Sequence, residues 1–155
     1  MKIYLETTIF NYYFDVERDA HPATIQLFNE IKAGKFEPYT SVVVVRELEK
    51  AKKEKRDKML SLIAKFNITV LPENDDAVNL AYLYIKNNVI TLNHLIDATH
   101  IAIATVNNLD KIISLNFSHI VRDKTRLFTE YINSINGYGS IDINSPMEIV
   151  DHEDY

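Results

Sequence analysis

Apolar residues follow two rhythms along this chain. Short apolar-rich runs, Ile3-Tyr4-Leu5, Ile68 to Leu71, Lys111 to Leu115 and Ile141 to Ile143, have the length and branching of strands. Phe36 to Thr40 is a further strand candidate. Between them the spacing widens to three and four. Ile9, Tyr12 and Tyr13 follow the first strand, and Ala23 to Ala33 carries Ile25, Leu27, Phe28 and Ile31 at helical intervals. Val42, Val45 and Leu48 repeat in the same way, as do Leu62 and Phe66. Asp75 to Asn88 predicts an amphipathic helix, and Val121 to Asn136 a late one. Asn93 to Val106 is apolar almost all round, through Ile96, Ala98, Ile101, Ala102, Ile103, Ala104 and Val106, so it should be buried.

Boundary residues agree with this segmentation. Gly34 suits the position after a helix end, and Gly137 and Gly139 close the late helix. Ser41 can cap the helix it precedes, Pro72 ends a strand, and Ser145-Pro146 opens a helical turn. Strands and helices alternate, which predicts an α/β fold. The expected architecture is a three-layer α/β/α sandwich with a central parallel sheet, built as a single domain over residues 1–155.

Composition narrows the chemistry. With 155 residues and 46% hydrophobic content, the chain can bury a sizeable core. It has no cysteine, which excludes disulfides and thiolate metal sites. The start, Met-Lys-Ile-Tyr-Leu-Glu, meets an acid at once and does not resemble a signal peptide. No apolar run is long enough to span a bilayer, so a soluble, cytoplasmic protein with no membrane partner is expected. A net charge of −5 argues against tight, sequence-blind phosphate binding by this chain alone. Arg46 to Lys58 is rich in bases, but acids interrupt them and Glu49 and Lys53 stand at i,i+4, which reads as a solvated helix face. Three glycines and no phosphate-loop lysine motif leave no nucleotide cradle, and there is no nucleophile elbow.

Four polar side chains stand at the ends of predicted strands or the starts of predicted helices: Glu6, Glu47, Asp97 and Asn116. In α/β sheets the carboxyl rim of the strands is where ligands bind. Carboxylates gathered there suit a hard cation, Mg²⁺ or Mn²⁺. Each residue also has a plainer reading. Glu6 could end a strand in water, Glu47 could be a surface acid beside Arg46 and Lys50, and Asn116 could be a turn residue. Asp97 would favour a helix N-terminus without any ligand, yet a charge leading so apolar a helix needs a partner. His94, Asp97 and His100 recur at three-residue spacing, which looks like a transition-metal site. A buried, hydrogen-bonded His100 is the simpler reading.

Taken in order, these motifs resemble the PIN-domain family. The residues are Tyr4-Leu5-Glu6-Thr7-Thr8, Thr40-Ser41 with Arg46-Glu47-Leu48, Asp97 through Ala104, and Ser114-Leu115-Asn116-Phe117-Ser118-His119-Ile120. The last segment looks like the toxin-ribonuclease (VapC-like) branch. The resemblance implies a parallel sheet between helices and a Mg²⁺- or Mn²⁺-dependent ribonuclease hydrolysing RNA phosphodiesters. Carried over by position, it implies Glu6, Glu47 and Asp97 as metal ligands and catalytic residues, with Asn116 at the fourth catalytic position. Thr8 and His119 would be auxiliary. A toxin role implies a protein antitoxin as partner, and the resemblance also allows a homodimer.

The chemistry needs these types of residue. Carboxylates hold a cation that lowers the pKa of water and offsets charge on phosphate oxygens. Glu6 stands where the family commonly has Asp, and Asn116 where it commonly has an acid. Those two departures support a rival reading: a catalytically weakened PIN-like module that binds RNA or a protein partner. A metal-dependent phosphatase acting on small esters would use the same ligands.

Overall fold

The structure, a computed structural model, describes residues 1–152. Its centre is a five-stranded, all-parallel sheet in the order β3-β2-β1-β4-β5. The strands are β1 (Lys2–Leu5), β2 (Glu37–Ser41), β3 (Thr69–Leu71), β4 (Lys111–Ile113) and β5 (Asp142–Asn144). The helices are α1 (Thr7–Phe14), α2 (His21–Lys32), α3 (Val42–Leu48), α4 (Lys53–Lys65), α5 (Asp75–Lys86), α6 (Leu95–Val106), α7 (Asp123–Ile135) and α8 (Pro146–Ile149). A 3₁₀ turn at Leu92–His94 leads into α6.

Ile3, Tyr4 and Leu5 of β1 are wholly buried, as are Ile112 and Ile113 of β4, because the strands at the middle of a parallel sheet are covered on both faces. The helices form two packed groups. In one, α1 touches α2, α3 and α4, α3 touches α4, and α8 packs on α2; in the other, α5 packs on α6 and α7. This is the expected three-layer sandwich. From β1 the chain winds outward to β2 and β3, then crosses back to β4 on the other side of β1. Right-handed crossovers place helices on opposite faces when the winding direction reverses. A crevice opens where it does, at the carboxyl ends of β1 and β4.

Five helices end in the same way. After α2, α4, α5, α6 and α7 the residue past the cap is left-handed: Gly34 (φ 87°), Asn67 (52°), Asn88 (61°), Asn108 (56°) and Gly137 (78°). At each, the next amide reaches back to the last turn, as from Val89 to the Tyr84 carbonyl and from Leu109 to the Ala104 carbonyl, both 3.0–3.1 Å. Ile68, Val89 and Leu109, which follow the three asparagines, are buried and pin the chain as it leaves the helix. Asparagine thus does the work of glycine in a chain that has only three of them.

Two expectations need correction. The mixed-charge stretch is not one helix: α3 ends at Leu48, Lys52 is extended (ψ 147°), and α4 begins at Lys53. Glu49 and Lys53 therefore lie on separate segments. Arg46 pairs with Glu73 outside this region and Lys58 with Glu54 within α4, in keeping with a solvated surface. On α3 the core takes Val43, Val44 and Leu48, whereas Val42 is exposed. Ile96, expected inside, is 44% exposed at the start of α6.

The helix ends yield a stability prediction. Asn108→Ala should cost about 1 kcal/mol, because alanine lacks the short polar side chain that makes the left-handed region tolerable to asparagine, while Asn108→Gly should leave the urea midpoint at or above wild type. Equal losses in both variants would show that the asparagine side chain, not the backbone angle, holds this turn.

Candidate functional site

Glu6 follows β1, with its amide hydrogen-bonded to the Ile113 carbonyl at 3.1 Å, so the ends of β1 and β4 are tied together at the crevice. Its side chain is buried, 3% exposed. Two hydroxyls donate to its Oε1, Thr8 Oγ1 and Ser114 Oγ, each at 2.6 Å. Those hydroxyls also accept backbone amides: Leu115 N–H to Thr8 at 2.8 Å and Asn116 N–H to Ser114 at 2.9 Å. The carboxylate is thus fixed through a small lattice joining the two strand ends. Burial pushes the Glu6 carboxyl above its ordinary value, and the nearby His100 and the two hydroxyls only partly oppose this.

Glu47 reaches the same rim from the last turn of α3, not from the helix start that was expected, because the helix is only seven residues long. Ser41 caps that helix, accepting from the Val43 and Val44 amides, which aims the helix start at the ends of the strands. Glu47 Oε1 accepts from Thr7 Oγ1 at 2.5 Å and pairs with His100 Nε2 at 2.7 Å. His100 is wholly buried, and its Nδ1 meets the Tyr4 hydroxyl at 2.7 Å, which in turn meets Ser41 Oγ at 2.7 Å. Burial would raise Glu47, but the hydrogen bond and charge of His100 outweigh it and leave the carboxyl below its ordinary value. Burial would likewise lower His100, yet Glu47, Glu6 and Asp97 together hold its imidazole above the usual range.

Asp97 lies in the first turn of α6, half-buried. Burial raises its carboxyl, opposed by His100, His119 and His94 and reinforced by the charge of Glu47. The fold therefore brings Glu6, Glu47 and Asp97 around one buried imidazole. Their donor atoms do not converge on a point. Among the described residues, the group of metal-capable side chains within 4.8 Å of one another is His94, Asp97 and His119.

Asn116 sits at the rim, but its Oδ1 accepts the His119 amide at 3.0 Å. The side chain shapes the loop after β4, as a turn residue would. Thr8 clamps Glu6, and His119 stacks on His94 with centroids 3.6 Å apart. The simpler reading of His100 holds: it turns inward, and the weaker grouping of His94, Asp97 and His100 gives way to one containing His119. Sequence reasoning missed Thr7 and Ser114 as clamps. Both stood inside the quoted motifs, next to the residues they hold, and a buried carboxylate needs such donors.

No family model matches the sequence, and no curated protein matches it. Solved structures do. The VapBC2 complex of Rickettsia felis, bound to a DNA fragment from its promoter, contains a chain with TM-score 0.58 at 16% identity, covering 94% of this chain and 98% of that one. A chain of FitAB bound to an IR36 DNA fragment gives 0.58 at 12%, covering 97% and 99%. VapC20 of Mycobacterium tuberculosis, a sarcin-ricin loop cleaving toxin, gives 0.55 at 14%, covering 71% and 86%. The chain shares the fold of these VapBC2, FitAB and VapC20 chains, the PIN-like fold that the order of its motifs led us to expect. At these identities the likeness is one of fold, and function has to be argued from the site. The winding of this sheet reverses between β1 and β4, where Glu6 and the Ser114–Asn116 segment stand.

The electrostatics of Glu6 make a signed prediction. A carboxyl raised by folding binds its proton more tightly in the native state, so its contribution is full below the ordinary carboxylate range and is lost as pH rises through the folded pKa. Glu6→Gln, whose amide oxygen can still accept from Thr8 and Ser114, should stabilise the fold at pH 7.5, and the gain should shrink towards pH 4. Urea unfolding at both pH values checks this. An equal loss at both would mean that the ionised carboxylate is not what strains the site.

Proposed function

We propose that this chain is a divalent-metal-dependent ribonuclease and the toxin of a toxin–antitoxin pair. What supports the reading is the pair of clamped carboxylates, Glu6 and Glu47, with Asp97 on the helix that carries the same buried His100, at the switch point of a PIN-like fold. The donors are carboxylate oxygens, which fit Mg²⁺ or Mn²⁺, and the carboxyls of Glu6 and Asp97, raised chiefly by burial, are offset only in part by their neighbours. When bound, the cation would lower the pKa of water and offset charge building on the phosphate.

The chain's own residues do the positioning. Thr8 and Ser114 hold one oxygen of Glu6, and Thr7 and His100 hold one oxygen of Glu47, so neither carboxylate has to be ordered when an ion and a phosphodiester arrive. His100, with both nitrogens engaged, sets the orientation of Glu47. The substrate class, RNA, is supported by the likeness to a toxin that cleaves the sarcin-ricin loop. An antitoxin partner is supported by the VapBC2 and FitAB complexes. Leu127, Tyr131 and Ile135, each more than 60% exposed on one face of α7, offer an apolar surface for such a partner or for a second copy of this chain. No helix among the described residues is long and apolar enough to cross a membrane. A cytoplasmic setting is part of the proposal.

One observation favours a second reading. Asn116 brings no charge to the fourth position, and its oxygen is taken by the His119 amide. A site with three acids holds a second ion weakly, which suits a PIN-like module that binds RNA or protein with little turnover.

The test is cleavage of a fluorescent RNA panel with Mn²⁺, Mg²⁺ or EDTA, wild type beside Asp97→Asn. Loss of a group that merely supports a metal ligand costs about 10–100-fold, so loss of a direct ligand should exceed that. Cleavage by Asp97→Asn at the wild-type rate would overturn the assignment. Metal binding without cleavage of any RNA would favour the second reading.

A further inference from the structure

Two histidines near Asp97 have no part in the carboxylate chemistry. His94 closes the 3₁₀ turn before α6, and His119 lies in the loop after β4. With Asp97 they present three candidate ligand atoms within 4.8 Å of one another, and all three residues are half-buried, sheltered but open to solvent. His94 Nδ1 is 3.8 Å from Asp97 Oδ2, and the two imidazoles stack at 24° with centroids 3.6 Å apart.

The loop that carries His119 is held on both sides of the imidazole. Its amide donates to Asn116 Oδ1 at 3.0 Å, and its carbonyl accepts from Thr125 Oγ1 at 2.7 Å. Thr125 is itself buried at the start of α7, and Arg122 Nε donates to its hydroxyl at 2.8 Å. The polar side chain at the fourth family position thus braces a histidine.

We propose that His94, Asp97 and His119 form a site for a borderline transition cation, with Zn²⁺ and Co²⁺ as the chemical types. Two imidazole nitrogens and one carboxylate oxygen suit Zn²⁺, Co²⁺ or Ni²⁺, whereas Mg²⁺ prefers oxygen throughout. Ligand bonds of about 2.0–2.2 Å to a tetrahedral ion place donor atoms about 3.3–3.5 Å apart. The His94–Asp97 separation is already close to that. No separation in the group exceeds 4.8 Å, so none has to close by more than about 1.5 Å, within reach of side-chain rotation. The stacked rings also have to splay, since lone pairs lying in nearly parallel planes do not point at one ion. Three protein ligands leave the fourth position of a tetrahedral ion open.

Asp97 is shared with the carboxylate cluster, so an ion held by the histidines draws on the same side chain that the ribonuclease reading assigns to Mg²⁺ or Mn²⁺. The histidine site does not rest on that reading. Its ligand set stands whether or not the chain cleaves RNA, and its test is a binding measurement.

The experiment is titration of the tag-free full chain with Co²⁺, read by visible absorption, followed by displacement with Zn²⁺ or with excess Mg²⁺. The expected result is one tetrahedral Co²⁺ per chain, displaced by Zn²⁺ and not by Mg²⁺. His94→Ala and His119→Ala should each weaken binding at least tenfold, and His152→Ala should leave it unchanged. A wild-type measurement guards against misfolded variants: Zn²⁺ should shift the imidazole nitrogen resonances of His94 and His119 among the five histidines and leave those of His21 and His152 in place. The proposal is overturned by Co²⁺ binding that survives both substitutions, by ready displacement with Mg²⁺, or by unmoved His94 and His119 resonances at saturating Zn²⁺. None of those results bears on cleavage with Mg²⁺, so this site and the ribonuclease reading fail separately.

Discussion

A single buried imidazole ties the core of this protein to its rim. His100 is surrounded by the apolar body of α6, yet both of its nitrogens are engaged, one by Tyr4 from the central strand and the other by Glu47 from α3. An unpaired polar group there would cost about 1–3 kcal/mol, so the three elements are obliged to meet in one register. Ser41 extends the chain of contacts: it meets the Tyr4 hydroxyl while capping α3, so the helix that delivers Glu47 is aimed by the bonds that satisfy the core.

Placement of the acids follows from that constraint. Glu6 is immobilised where β1 and β4 separate, Glu47 is held by Thr7 and His100, and Asp97 stands one turn before the imidazole on α6. Their electrostatic states differ. Glu47 has a basic partner and lies below its ordinary pKa, whereas burial pushes Glu6 and Asp97 above theirs. Two carboxyls raised by burial, beside a third held down by its imidazole partner, make a rim whose negative charge the protein offsets only in part. Under the proposed function a divalent cation would supply the remaining offset, and the fold itself is indifferent to which reaction follows.

Much of this architecture was legible in the sequence because burial on both faces leaves an unambiguous mark. Ile3-Tyr4-Leu5 and the apolar residues of Lys111–Leu115 are strands of a covered parallel sheet, and they proved to be the adjacent central pair. Gly34 and Gly137 marked helix ends, while Asn67, Asn88 and Asn108 do the same with a weaker signature. The face of α3 was not legible, since four consecutive valines offer no contrast for periodicity to use. The break between α3 and α4 was hidden in the same way by an unbroken run of mixed charge. The histidines illustrate a third limit. Three-residue spacing suggested His94, Asp97 and His100 as one group, but six residues along an α-helix turn the side chain by about 120° net. His100 therefore enters the core, and the partner of His94 comes from a loop 25 residues further along the chain, which no local spacing could announce.

The central claim is that the rim of β1, α3 and α6 holds a divalent cation through carboxylates. A crystal of the chain soaked in Mn²⁺ and measured at an anomalous wavelength tests it most directly. The account predicts an anomalous peak bounded by Glu6, Glu47 and Asp97, with Thr8, Ser114 and His100 still holding their carboxylate oxygens. No peak at that rim under saturating Mn²⁺ would contradict it.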